Sequence, residues 1–147
     1  MAKRLWIFAV LLTGSGAPAQ TTPEPFPAVA TMKQVMLDFI HPASNDIILL
    51  VARGGPKDEK DWAVARRSAV TLAESGNLLL QRGRMRDQGD WVKDAKALAD
   101  VGTAAYQVAQ AKDADALAKL TPALDLSCTA CHKQYRPNVF PREGASK

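Results

Sequence analysis

Two cysteines and a histidine near the end of the chain, Cys128, Cys131 and His132, have the spacing C-x-x-C-H. On a helix, residues three positions apart lie on one face, so each sulfur can add to one of the two vinyl groups of a haem. The imidazole that follows can then bind the iron as an axial ligand. The spacing therefore predicts one covalently bound haem c, with Cys128 and Cys131 binding the cofactor and His132 binding the metal.

Three other uses of the two cysteines each need a context of their own. A dithiol redox motif needs a β-α-β unit with a cysteine at a helix N-terminus, and half of a zinc site needs a second pair of ligands. A disulfide across three residues would close a very small loop and contribute little stability. The chain has two cysteines in total, and its sequence offers neither context, so haem attachment is the favoured interpretation.

The start of the chain has the three parts of an export signal. Lys3 and Arg4 form a short basic region, residues 5–12 are an apolar run, and Ala17-Pro18-Ala19 is a small-residue cleavage site. We expect residues 1–19 to be a signal peptide, and the apolar run is too short for a membrane span in the mature form. A periplasmic location agrees with the haem motif, because bacteria attach c-type haem after export.

The mature chain is long enough for a single domain with a modest core. The formal net charge of +4 falls to +2 when Lys3 and Arg4 leave, so no nucleic-acid partner is expected. Residues 20–27 read as an extended, proline-rich N-terminal arm, and residues 138–147 as a C-terminal tail.

Apolar residues at helical spacing predict a first helix over residues 28–40, with a stripe of Val29, Met32, Met36, Phe39 and Ile40. Pro42 is expected to break or kink that helix, because proline removes a backbone donor and disfavours helix at the preceding residue. Ser44 or Asn45 would then cap a second segment that runs through Val51.

Three further helices are predicted, and no segment alternates as a strand does. The helix expected after Asp90 is rich in small residues, which permit close helix packing or leave room for a flat cofactor. Residues 82–89 form a basic, turn-rich connection that is expected to be a solvated loop; the alternative is a docking patch for an acidic partner. The fold class predicted for residues 28–137 is an all-α, antiparallel four-helix bundle with haem bound to the C-terminal helix. The first of these three helices is expected from Asp58 to Leu79, and the second, capped by Asp90, as far as Ala109. The last is expected from Asp113 to the residue before Pro137, with a kink or restart at Pro122.

A helical bundle whose C-terminal motif reads C-x-x-C-H-x-x-Y-R resembles the cytochrome c-prime family, including its methionine-ligated low-spin relatives. Ordinary cytochromes c place this motif near their N-terminus. The resemblance implies a periplasmic monohaem protein, often a homodimer, in which the first helix covers the distal face of the haem. Arg136 matches the family's basic residue one turn after His132, where it would modulate the ligand or meet a haem propionate; otherwise it is a surface arginine at a helix end. Tyr135 matches an aromatic position and is expected to serve packing.

The distal ligand separates two functions within that family. High-spin members keep a five-coordinate iron under an apolar residue, whereas low-spin relatives use a methionine. Met32 and Met36 lie one turn apart on the first helix, and Met36, deeper in the helix, is the preferred metal ligand; both could instead fill the core. His41 lies beside the expected break and is predicted to bond local backbone rather than the iron.

The function expected from these residues is an electron carrier whose haem iron cycles between ferrous and ferric, with a redox protein as partner. The alternative is a five-coordinate cytochrome c-prime that binds nitric oxide or carbon monoxide. No distal acid-base pair is visible near the first helix, so the chain is not expected to be an enzyme.

Overall fold

The computed structural model describes residues 27–138, and the regular structure within that range is four helices without a strand. The predicted all-α fold is therefore confirmed, and the arrangement is compatible with a four-helix bundle. The predicted signal peptide, N-terminal arm and C-terminal tail lie outside the described residues, except for Pro27 and Asn138. We label the helices α1 (Met32–Ala52), α2 (Glu59–Leu79), α3 (Asp90–Ala111) and α4 (Ala114–Tyr135).

Helix α1 begins later than the apolar stripe suggested. Thr31 forms a capping box with Gln34: the Thr31 hydroxyl accepts the Gln34 amide (3.2 Å), and the Gln34 side chain accepts the Thr31 amide (2.9 Å). Val29, which precedes this cap, is 97% exposed, and Phe39 is 43% exposed. These two residues of the predicted apolar stripe therefore lie at the surface and not in the core.

Pro42 does not interrupt α1, so the predicted break is wrong. Residues Val35–Ile40 form a wider π-helical turn, and the His41 amide donates to the carbonyl of Met36, five residues earlier. The helix then continues in the α form over His41–Ala52. Ser44 starts no new segment; its hydroxyl donates to the His41 carbonyl at 3.0 Å. The wider turn allows the helix to continue through Pro42, which has no amide hydrogen.

Helices α2 and α3 begin close to the predicted residues. Asp58 caps α2 by accepting the backbone amide three residues later at 2.9 Å. Asp90, the expected cap of α3, is instead its first residue, because Asp87 takes over the capping bonds. One Asp87 carboxylate oxygen accepts the amides of Gly89 (2.9 Å) and Trp91 (3.0 Å).

Helix α4 is continuous from Ala114 to Tyr135, with Asp113 as its N-cap and Pro122 inside it. The expected restart at Pro122 is therefore wrong. The carbonyl of Ala118, four residues before the proline, accepts the hydroxyl of Thr121 at 2.8 Å. That hydroxyl replaces the amide that proline lacks, so the helix keeps its ordinary turn.

Two glycines let α2 and α3 pack closely. A Cβ added to Gly102 would lie 2.8 Å from the Cα of Ala73 and 2.9 Å from the carbonyl carbon of Leu72. A Cβ added to Gly76 would lie 2.7 Å from the carbonyl oxygen of Ala95. Small residues in α3 therefore serve the close helix contact that was one of their two predicted uses.

One described helix, α1, is long and apolar enough to cross a membrane by length and composition. Signal sequences and core helices of soluble proteins meet the same criterion. Val35, Ile47 and Leu50 of α1 are at most 2% exposed and belong to the core cluster shared with the other helices. Leu37 and Leu49 on its outer side are more than half exposed.

Candidate haem site

The C-x-x-C-H residues lie in the last turns of α4, with both cysteines as free thiols. Cys128, Cys131 and His132 are half-buried, and all three line one small cavity of about 30 Å³. The helix therefore brings the three side chains to one face, as their spacing predicts. Neither cysteine lies near a helix N-terminus, where a reactive dithiol motif would place one.

A larger cavity of about 400 Å³ lies between the start of α1, the start of α3 and the end of α4. Its apolar lining includes Met32, Met36 and Trp91, and α4 contributes Cys131 and His132. The volume falls within the range of about 300–1,000 Å³ typical of small-molecule and cofactor sites. The cavity opens directly onto Cys131 and His132 of the C-x-x-C-H motif.

Met36 is the better placed of the two candidate methionines. Met36, Cys131 and His132 line both the large and the small cavity, whereas Met32 lines only the large one. Both methionines are half-buried. His41 is exposed and lines neither of these cavities; the side-chain amide of Asn45 lies 3.4 Å from its ring nitrogens. The structure thus brings Met36 and His132 together and leaves His41 apart.

Three cationic side chains, Lys33, Arg86 and Arg136, also line the large cavity, and all three are solvent-exposed. The described residues that line this cavity include no carboxylate. An anionic group of a ligand would therefore be attracted to its solvent-facing side. The sequence singled out Arg136 at this place, but Lys33 and Arg86 were not identified because their proximity depends on tertiary packing.

The environment of the motif keeps its thiols protonated. Burial raises the pKa of the Cys128 thiol. Burial and the adjacent carboxylate of Asp94 raise the pKa of Cys131 to about 12. A redox-active dithiol needs the opposite shift, because the thiolate is the reactive form.

His132 has the protonation state that a metal ligand needs. Burial of the ring lowers the pKa of His132, and the positive charge of Arg136 lowers it further. The imidazole is therefore neutral at neutral pH, which is the form in which histidine binds a metal. The electrostatic effect also supports the predicted proximity of Arg136 to His132.

Asp94 is a carboxylate in the small cavity that the sequence did not single out. Its Oδ2 atom is buried without a hydrogen-bond partner among the described residues, and the Cys131 thiol lies beside the carboxyl group. Burial and the neighbouring charge of Asp90 raise the pKa of Asp94. The unpaired Asp94 Oδ2 atom adjoins the small cavity, which a bound group would fill.

The end of α4 is tied to the start of α3 by aromatic and polar contacts. The rings of Trp91 and Tyr135 pack edge to face, with centroids 4.8 Å apart and planes at 82°. The Tyr135 hydroxyl donates to Asp87, and the Gln134 amide donates to Asp90 at 3.2 Å. These contacts agree with the packing role predicted for Tyr135.

Arg84 holds the segment before α1, although it lies in the connection that was expected to be a solvated loop. Its side chain is 6% exposed. Its guanidinium donates to the carbonyl of Ala30 at 2.7 and 3.2 Å and to the carbonyl of Leu78 at 3.1 Å. Arg84 thereby fixes the start of the helix that carries Met32 and Met36.

Comparisons with protein-family models, curated proteins and solved structures found no match to this chain. The resemblance to the cytochrome c-prime family therefore depends on the helical pattern and the C-terminal motif. Among residues 27–138, no three or more His, Cys, Asp or Glu side chains form a group that could hold a metal ion. The described part of the chain thus lacks the second ligand pair that a zinc site would need.

Proposed function

We propose that this protein is a periplasmic monohaem c-type cytochrome that carries electrons. One haem c is bound through Cys128 and Cys131, with His132 as the proximal iron ligand and Met36 as the distal one. The observation that carries the proposal is the cavity onto which Cys131 and His132 open, because Met36 lines the same space from α1.

The chemistry of the cavity suits a flat, apolar ring that carries two carboxylates. The lining is mostly apolar and aromatic, and Lys33, Arg86 and Arg136 can pair with the two propionates. When bound, haem supplies an iron that can accept and release one electron. The residues of the chain hold the ring, exclude water from its apolar face and select its axial ligands.

The two proposed axial ligands favour electron transfer. The neutral imidazole of His132 can bind iron without losing a proton first. The thioether of Met36 is a soft ligand that stabilises ferrous iron and raises the reduction potential. Filling both axial positions leaves no open site for an external gas, which is why Met36 decides between the two function classes.

The raised pKa values of both cysteines count against a dithiol oxidoreductase. Thioether attachment makes a different use of these residues, because the sulfurs then become permanent links to the ring. The redox partner is expected to dock where the haem edge meets solvent, on the side of the cavity that carries the three cations.

Mass spectrometry tests attachment most directly. We expect chain expressed with a c-type maturation system to exceed its polypeptide mass by one haem after denaturation, and Cys128→Ala with Cys131→Ala to abolish that increase. Bare cysteines in the mature wild type would contradict the proposal.

Absorption spectra of single variants test the distal ligand. We expect a low-spin wild type with a sharp reduced α band, and a high-spin Met36→Ala variant that binds carbon monoxide in the ferrous state. Met32→Ala is the matched control, one turn away in the same cavity, and should keep the low-spin spectrum. A wild type that is high-spin and binds carbon monoxide would favour gas binding instead.

A further inference from the structure

The pattern of burial along α1 changes at the π-helical turn. Behind Pro42, the buried residues Ala43, Ile47 and Leu50 follow the ordinary spacing of three and four. Before Pro42, the buried residues Val35 and Ile40 are five positions apart. In an α-helix, residues five apart point about 140° away from each other, so they could not share a face. The wide turn brings them together.

Pro42 explains why the turn is wide at this place. Proline has no amide hydrogen, and its ring conflicts with the carbonyl four residues earlier. The preceding amide, that of His41, reaches back five residues to Met36 instead of four. Pro42 is itself exposed and absent from the core, so it acts through the backbone rather than through packing.

Pro122 shows that a proline inside a helix of this protein does not need such a turn. Helix α4 stays in the α form around Pro122, and the Thr121 hydroxyl satisfies the Ala118 carbonyl. Pro122 is also exposed. The two prolines therefore differ in that only Pro42 accompanies a shift of the helix register.

The extra residue rotates the first part of α1 by about 100° relative to the rest. Without it, the residue four before Ile40 would face the core, and that residue is Met36. Met36 would then take the position of Val35, which is fully buried and lines neither cavity. The π-helical turn keeps Val35 in the core and Met36 beside Cys131 and His132.

We propose that Pro42 is a positioning residue for the haem site, because it sets the helix register that directs Met36 into the cavity. This inference rests on the proposed function for the identity of the ligand. Pro42 touches neither the cavity nor the motif, and its effect passes along the backbone of one helix to Met36.

The test compares haem-loaded Pro42→Ala with haem-loaded Pro122→Ala. Alanine at position 42 restores the missing amide, so residues 35–42 are expected to return to the α register. We expect Pro42→Ala to lose the low-spin α band and to bind carbon monoxide, as Met36→Ala does. Pro122→Ala should keep the wild-type spectrum. The double variant Pro42→Ala with Met36→Ala should match either single variant, because both act on one ligand.

Hydrogen exchange provides a readout that does not depend on the iron. The amides of residues 35–41 should exchange more slowly in Pro42→Ala than in the wild type, because α-type bonds replace the wider ones. A high-spin wild type would contradict Met36 as the distal ligand, which belongs to the proposed function. Hydrogen exchange would still show whether Pro42 sets the register of α1.

Two outcomes overturn the proposal. The first is a Pro42→Ala protein with wild-type spectrum and wild-type exchange, since the turn would then not depend on the proline. The second is a Pro42→Ala chain that cannot fold or attach haem, since the proposal requires the bundle to accept the α register. Failure of the wild type to attach haem contradicts the proposed function instead, so the two failures can be distinguished.

Discussion

Replacing Gly102 by alanine sets two effects of known size against each other. Alanine is favoured over glycine in a helix interior by about 1 kcal/mol, so propensity alone predicts a more stable protein. The added Cβ, however, would meet the backbone nitrogen of Ala73, its Cα at 2.8 Å and the carbonyl carbon of Leu72 at 2.9 Å. Ordinary contact begins at 3.4 Å, and the Ala73 nitrogen is the nearest of the three atoms, so α2 and α3 must separate by about 1 Å.

The contact outweighs the propensity because all three neighbours are backbone atoms, which cannot rotate away as a side chain can. Overpacking of this kind costs about 1–3 kcal/mol, and backbone neighbours favour the upper end. The expected net loss is about 2 kcal/mol. With an m-value of about 2 kcal/mol/M, the urea midpoint should fall by about 1 M at an unchanged slope.

Urea unfolding of the haem-loaded protein, followed by far-ultraviolet circular dichroism, measures this loss. Thr103→Ala is the matched control in the next position of α3, where an exposed side chain bonds only the carbonyl of its own helix at 2.8 Å. It should gain about 0.5 kcal/mol from propensity. A Gly102→Ala protein that is more stable than the wild type by about 1 kcal/mol would show that α2 and α3 do not pack as closely as described.

Three further predictions concern the surroundings of the site. Arg84→Met should lower the free energy of unfolding by about 2 kcal/mol, because the Ala30 carbonyl loses both its charged donors. Calorimetry should show this loss. Absorption spectra should show a smaller low-spin fraction, because the start of α1 loosens. The hydrogen bond from Tyr135, and next the Trp91 amide, lower the pKa of Asp87 from 3.8. Its contribution to stability is therefore present above pH 3.8 and is lost as the pH falls through the lower pKa of the folded state. Asp87→Asn should flatten this part of a stability–pH curve, and an unchanged curve would contradict the prediction. Trp91→Leu should remove the edge-to-face contact with Tyr135 and the 2.9 Å bond to the Leu79 carbonyl, and these losses should lower the unfolding midpoint. Trp62 lies away from both cavities, so Trp62→Leu should leave the haem spectrum unchanged.

The sequence was sufficient for the local features of this fold. Apolar spacing located all four helices, and the aspartates at positions 58 and 113 marked two of their starts, because a cap depends on residues three positions away. The motif spacing also predicted that Cys128, Cys131 and His132 share a face, which holds because the helix is regular there.

Contacts between distant residues and the shift of the α1 backbone could not be predicted from the amino-acid sequence. The apolar stripe of α1 was interpreted with a period of 3.6, whereas the spacing of five between Val35 and Ile40 requires a π-helical turn. Arg84 was assigned to solvent because nothing local signals that its partner is the Ala30 carbonyl, 54 positions away. For the same reason Asp94 was not identified beside Cys131.

The glycine contact between α2 and α3 has a consequence for the order of assembly. These two helices are consecutive in sequence, so their contact requires only a short loop to close and is expected to form early in folding. The cavity, in contrast, is bounded by α1 and α4, which are the first and last helices of the described chain. It closes only when distant segments meet, so a folding intermediate with the α2–α3 hairpin formed would still expose Cys128 and Cys131 for the haem attachment that we propose.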